Sequence, residues 1–180
     1  MHLENAPTYE DAISKLDNNM HVPKTEVKQV ILKSYSQIAA LEKAVKAIQE
    51  NETAKKMVSI IGNYGDDHTN DLKGLAAKKK YLRSFFKERV GIDTEFDFFY
   101  NPAIGYLFVA GFLVATFLNP VGERTLGALS GGPYGVLRGL GVSEGKATLS
   151  VKKLYAGSYL LVVRGDRYDM ENLEDILEKI

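Results

Sequence analysis

The chain has 180 residues, 23 basic and 23 acidic side chains, three histidines, and neither cysteine nor tryptophan. Zero net charge argues against a dedicated nucleic-acid binder, which carries a basic excess, and the missing cysteines exclude disulfides, thiolate metal sites and a cysteine nucleophile. Hydrophobic content of 45% with 26% charged residues belongs to a folded chain rather than a disordered one.

Pro7-Thr8-Tyr9-Glu10-Asp11 carries a helix-start signal, with the Thr8 hydroxyl available to an orphan amide and two acids at the positive helix end. A short helix over about 9–18 is predicted, with Ala12, Ile13 and Leu16 on one side, and Asn18-Asn19 ends it. Pro23 suits the first turn of a second helix, which needs no N–H there. From Lys24 to about Glu50, Val27, Val30, Ile31, Ile38, Leu41, Val45 and Ile48 mark the apolar positions. The last four step by three and four, a narrow seam that packs on another helix, and an intramolecular helical hairpin is expected.

Met57-Val58-Ser59-Ile60-Ile61 is short, partly β-branched and followed by Gly62, so a strand is favoured over a last helical stretch. Asp66-Asp67-His68-Thr69-Asn70-Asp71 is the densest set of metal-ligand side-chain types, but it lacks the spacing of a calcium loop. Asn70 or Asp71 is well explained as the cap of the next helix, Asp71 to Val90. That helix has Leu72, Leu75, Leu82, Phe86 and Val90 on its apolar face and seven basic residues against Asp71 and Glu88. A basic amphipathic helix can lie on an anionic surface, or can be the solvated face of a bundle.

The middle of the chain differs sharply in composition. Residues 98–122 carry no charge, and 12 of the 16 glycines fall between Gly105 and Gly165. After the aromatic stretch Phe96–Tyr100, Pro102 opens sixteen uncharged residues, 103–118, that resemble the flank of a membrane segment. Sixteen helical residues cover only ~24 Å, short of the ~30 Å hydrocarbon core. Asn119-Pro120 ends the run, and a second arm follows with Gly127, Gly131, Gly135 and Gly139 at a spacing of four. In a helix these lie in one stripe that admits a close backbone, with Gly111 and Ala115 as a matching pair on the first arm. Pro133 breaks the second arm into two short pieces, and stands near the start of the second.

Ser143 is placed to cap a helix bearing Ala147, Val151, Leu154 and Tyr155 on one face. Ser158 to Gly165 is the best strand in the sequence, and its near-continuous apolar run implies burial on both faces. A final helix, capped by Asp169, turns Leu173, Ile176, Leu177 and Ile180 inward.

The stretch from the Gly-xxx-Gly series at Gly127, through Gly139-Leu140-Gly141-Val142-Ser143-Glu144 and a helix, to the Ala156–Gly165 strand resembles the bacterial heat-induced and general-stress proteins with a glycine-zipper hairpin. Ser143 stands where that family usually has proline. The resemblance covers about 127–165 and implies a helix-and-strand domain with a hydrophobic hairpin, stress-linked, self-associating or membrane-associated, with no catalytic residues. Residues 1–56 look unlike that family.

The expected fold is α+β but mostly helical. Residues 1–92 would form an N-terminal helical bundle or hairpin, and 93–180 a Gly-rich hydrophobic helical hairpin with a small C-terminal helix–strand–helix element. The expected function is a non-enzymatic stress-type protein that self-associates or docks on a membrane through residues 98–141. The alternative is a soluble homo-oligomeric scaffold or protein-interaction module with that hairpin buried between subunits. The self-association positions are Gly111, Ala115, Gly127, Gly131, Gly135 and Gly139; those for an anionic surface are Lys78, Lys79, Lys80, Arg83, Lys87 and Arg89. No catalytic, cofactor or metal residue is expected. The expected partners are further copies, an anionic membrane surface and, through the N-terminal helices, another protein, but not nucleic acid. Met1 is followed by His2-Leu3-Glu4 rather than a signal-type run, so a cytoplasmic location is expected, with membrane association in addition.

Overall fold

A computed structural model describes residues 28–51, 57–65, 72–89 and 95–180. In chain order the elements are β1 (Lys28–Tyr35), α1 (Ile38–Glu50), β2 (Met57–Gly65), α2 (Leu72–Arg89), β3 (Phe96–Asn101) and β4 (Gly105–Gly111). There follow α3 (Val114–Phe117), the two-residue strands β5 (Pro120–Val121) and β6 (Arg124–Thr125), a 3-10 turn (Leu126–Ala128), α4 (Gly132–Gly139), α5 (Glu144–Tyr155), β7 (Tyr159–Asp166) and α6 (Arg167–Glu178).

Five strands make one sheet in the order β1-β7-β2-β4-β3, with every neighbouring pair antiparallel. Strands from both sides of residue 92 therefore pair with one another. Side chains alternate across a strand, and here both faces are covered. On β7, Leu161 and Val163 join a core with Leu41, Val45 and Ile48 of α1, Phe86 of α2 and Met170, Leu173 and Leu177 of α6. Leu160 and Val162 join the opposite core, with Val114 and Phe117 of α3, Val136 and Leu137 of α4 and Ala147 and Leu154 of α5. Leu160 to Val163 are all fully buried. At about 1.5–3 kcal/mol for each buried aliphatic side chain, this one strand links both halves of the core.

Cross-strand contacts fix the register. Gly62 faces Phe108, and a Cβ on Gly62 would come within 2.2 Å of the Phe108 ring. The ring fills the space above the glycine and meets Phe86 and Phe96 at centroid distances of 5.0 and 5.5 Å, the offset arrangements that aromatic pairs favour. Two buried polar side chains close the loops. Ser59 Oγ accepts a hydrogen bond from the Leu113 amide at 2.8 Å, where the chain leaves β4. Asn101 is fully buried; its Nδ2 donates to the carbonyls of Gly127 (2.9 Å) and Leu129 (2.7 Å), and its Oδ1 accepts from the Ala103 amide (3.0 Å).

The architecture is a three-layer sandwich around an antiparallel sheet, which corrects the expectation of a mostly helical molecule in two places. First, the predicted second helix begins at Ile38, and the residues before it form β1. Val30, Ile31 and Tyr35 favour a strand, and all eight β1 residues find a partner on β7. The seam at Leu41, Val45 and Ile48 is real, but it packs on the sheet rather than in a helical hairpin. Second, the uncharged run 103–118 is not a helical arm. It divides into a turn, β4, a turn and the one-turn α3. β4 is an inner strand with both faces covered, Phe108 and Ala110 in one core and Leu107 and Val109 in the other, so an apolar residue suits either face.

Other expectations agree with the fold. Met57–Ile61 lies in β2, the basic helix is α2, and Pro133 stands at the start of α4. Ser143 occupies the N-cap of α5, although its side chain makes no cap hydrogen bond. The N-cap of α6 is Asp166 rather than Asp169, and Ile180 is exposed. The predicted 9–18 helix, the Pro23 start and the Asp66–Asp71 loop lie outside the described residues. Among the described residues, no helix is long and apolar enough to cross a membrane.

Candidate functional site

The glycines read as one stripe divide into two kinds. Gly127 is buried in the 3-10 turn, where a Cβ would lie 2.8–2.9 Å from the Phe99 and Phe117 rings. Those rings stack at 5.0 Å, and the Asn101 clamp holds the carbonyls of Gly127 and Leu129 beneath them. Gly132, outside the spacing of four, is as constrained: its Cβ would meet the Leu126 carbonyl oxygen at 2.1 Å. Glycine is required at both positions by packing inside the chain.

Gly131, Gly135 and Gly139 are the second kind. All three are exposed, and no atom lies within 4 Å of where a Cβ would stand. Gly131 is the N-cap, Gly135 is mid-helix and Gly139 ends α4. The inner side of this helix carries Pro133, Val136 and Leu137 into the core, which fixes the glycine side outward. Its far end is held by the Arg138 guanidinium, which donates to the Val142 carbonyl at 2.6 Å, and by Gly141 at φ +87°. A rigid helix thus presents bare backbone to its surroundings.

The matching pair on the first arm is not on one helix. Gly111 ends β4 at φ +91°, with its Cβ position 2.0 Å from the Val58 carbonyl oxygen, whereas Ala115 is exposed on α3. Gly111 therefore serves a chain reversal, and of the predicted glycines Gly131, Gly135 and Gly139 remain together as an open surface.

Of the basic positions, Lys79 forms an ion pair with Asp97 and ties α2 to β3. Lys80, Arg83 and Lys87 are exposed, while Phe86 is buried and Leu82 and Phe85 partly so. The side chains of Lys78 and Arg89 lie outside the described ones. An apolar cavity of about 230 Å³ lies between α1, α2 and the start of β7, lined by Ile38, Tyr81, Leu82, Phe85, Phe86 and Tyr159. Tyr35, directly across from Tyr159 in the ladder, has a buried hydroxyl without a hydrogen-bond partner, and burial raises its phenol pKa above the usual value. Among the described residues no three His, Asp or Glu side chains gather as a metal-ligand set.

Two features escaped the sequence reading. Asn101 gave no signal, because its role depends on carbonyls 26 and 28 residues away. The acids Glu171, Glu174, Asp175 and Glu178 had one, the helical spacing of three, four and seven, and the structure lines a shallow surface groove with them. Comparison with family models, curated proteins and solved structures finds no match to this chain.

Proposed function

We propose that the protein acts by association rather than by catalysis, and that copies meet through the glycine face of α4. The observation that carries this reading is the open space over Gly131, Gly135 and Gly139. A glycine inside a helix costs about 0.5–1 kcal/mol relative to alanine. Gly135 and, at the helix end, Gly139 bear that cost, whereas Gly131 as the N-cap does not, and nothing in the described chain offsets it. A second backbone laid against the face would, because three absent side chains let it approach closely.

The membrane arm of the earlier expectation has less support. It required an apolar helical hairpin at 98–141, and much of that segment is β3, β4 and turns packed into the sheet. The stress-linked role is carried by the resemblance over 127–165, which spans the 3-10 turn, α4, α5 and most of β7.

The test is particle mass. Gly131→Leu and Gly135→Leu each place a side chain in open space, so the fold persists by circular dichroism while sedimentation velocity shows a smaller particle than the parent. Both variants sedimenting as the parent does, at equal concentration, would sink the proposal.

A further inference from the structure

We propose that a second copy also docks its acidic α6 stripe on the basic α2 stripe of the first, making a head-to-tail contact. This contact lies on the opposite face of the sheet from α4 and goes beyond the α4 reading. Lys80, Arg83 and Lys87 are exposed on α2 at i, i+3 and i+7. On α6 the acids Glu171, Glu174, Asp175 and Glu178 stand at i, i+3, i+4 and i+7. Each stripe runs ~10 Å at 1.5 Å per residue, so the two match in length and are opposite in sign.

Both helices belong to the same layer, at its two ends. α6 packs on β1, where Glu178 pairs with Lys33 at 3.2 Å. α2 packs on β3, where Phe86 meets Phe96 at 6.0 Å and Lys79 pairs with Asp97. β1 and β3 are the two edges of the five-stranded sheet. Four strand spacings of ~4.8 Å hold them ~19 Å apart, beyond the ~8 Å screening length at physiological salt. One copy therefore does not bring its own two stripes together, although Glu171 and Glu178 have local partners in Arg167 and Lys33. No ion pair between described residues engages Lys80, Arg83, Glu174 or Asp175.

A second copy meets this geometry with the opposite flank. An interface built from two different patches repeats, closing into a ring or running on as a filament. Because the chain's net charge is zero, adding copies accumulates no charge. An anionic lipid surface fits less well: it attracts the α2 stripe, but across the same helical layer it also meets four acids.

The experiment uses the full chain and sedimentation velocity at about 10 mM and about 1 M salt, where screening lengths are ~30 and ~3 Å. The parent should associate at least ~10-fold more weakly at the higher salt. Lys80→Glu with Arg83→Glu, and separately Glu174→Lys with Asp175→Lys, should each lose the salt-sensitive association. Mixing the two variants should restore it, since each then offers what the other lacks. A salt-insensitive parent, unchanged variants or a mixture without rescue would overturn the contact. Salt-insensitive association that Gly135→Leu abolishes would leave the α4 reading standing and remove this one; salt-sensitive association indifferent to Gly135→Leu would do the reverse. Flotation on phosphatidylserine vesicles that Lys80→Glu/Arg83→Glu abolishes, with particle mass unchanged, would overturn it in favour of lipid.

Discussion

Gly135→Ala should make the isolated subunit more stable and its association weaker. The position is mid-helix and exposed, with no atom within 4 Å of the new methyl group. The folded state meets no clash, and the unfolded chain loses conformational freedom. The helix-interior preference for alanine is about 0.8–1.0 kcal/mol, and the shortness of α4 puts the expected gain at about 0.5–1 kcal/mol. For a chain of this size 1 kcal/mol moves Tm by about 2–4 °C. The same methyl group holds an approaching backbone away, so the parent gains stability with concentration through mass action and the variant gains less. Thermal unfolding across a dilution series reads both effects: the variant should melt higher at the dilute end, and the difference should narrow or reverse at the concentrated end. A variant that melts lower than the parent in dilute solution would refute the placement of Gly135 on an open face. Parallel curves at all concentrations would refute its part in association.

Gly111→Ala should lower stability by about 3 kcal/mol in urea unfolding, from a positive φ and a side chain forced against the Val58 carbonyl; a loss below about 1 kcal/mol would contradict the tight reversal. Asn101→Ala should cost about 3 kcal/mol by removing one buried and two partly buried hydrogen bonds to two carbonyls and an amide, and Tm should fall by roughly 6–12 °C. Tyr35→Phe removes a buried hydroxyl with no partner and should be neutral or stabilising by about 1 kcal/mol. Burial raises the Tyr35 phenol, so above about pH 10 the unfolded chain releases that proton first. Unfolding is then favoured as pH rises, while below pH 10 this group contributes no slope. Chemical denaturation of parent and Tyr35→Phe across alkaline pH should show the parent losing more stability; equal slopes would contradict the buried phenol.

Local signals survived into the fold where the local requirement and the tertiary one coincide. Pro133 opens α4 because a missing N–H is harmless in the first turn whatever surrounds it. The β7 run is a strand because Val162 and Val163, preceded by two leucines, suit a pleated position and both sheet faces are covered. β1 was hidden because Val27, Val30 and Ile31 fit a helical period, and only the partner strand some 130 residues later selects the extended form. The glycine spacing was legible as a pattern but not as a stripe. Gly127 is in a 3-10 turn and Gly131 a cap, and nothing in a spacing of four reports that the helix begins only at Gly132. At the candidate site, sequence reasoning named the three open glycines but could not separate them from Gly111 and Gly127, which the chain's own packing requires.

The uncharged middle of the chain shows why a central strand and a membrane segment read alike. Both demand apolar side chains at every position, one because two helical layers cover the sheet and the other because lipid surrounds the helix. Length and glycine placement tell them apart. A span needs about 20 residues without interruption, whereas Gly105 and Gly111 bracket seven residues, an ordinary strand length. Both glycines adopt positive φ, at 104° and 91°, which a helix does not contain. They are the points at which the chain reverses, first from β3 into β4 and then from β4 toward α3. Two reversals within sixteen residues leave no room for a helical arm. The apolar content that looked like a surface for lipid is consumed in building the sheet. Exposed large apolar side chains such as Tyr81 and Leu149 stand on different elements, so on the proposed reading association should depend more on close backbone approach at α4 and on salt than on exposed apolar area.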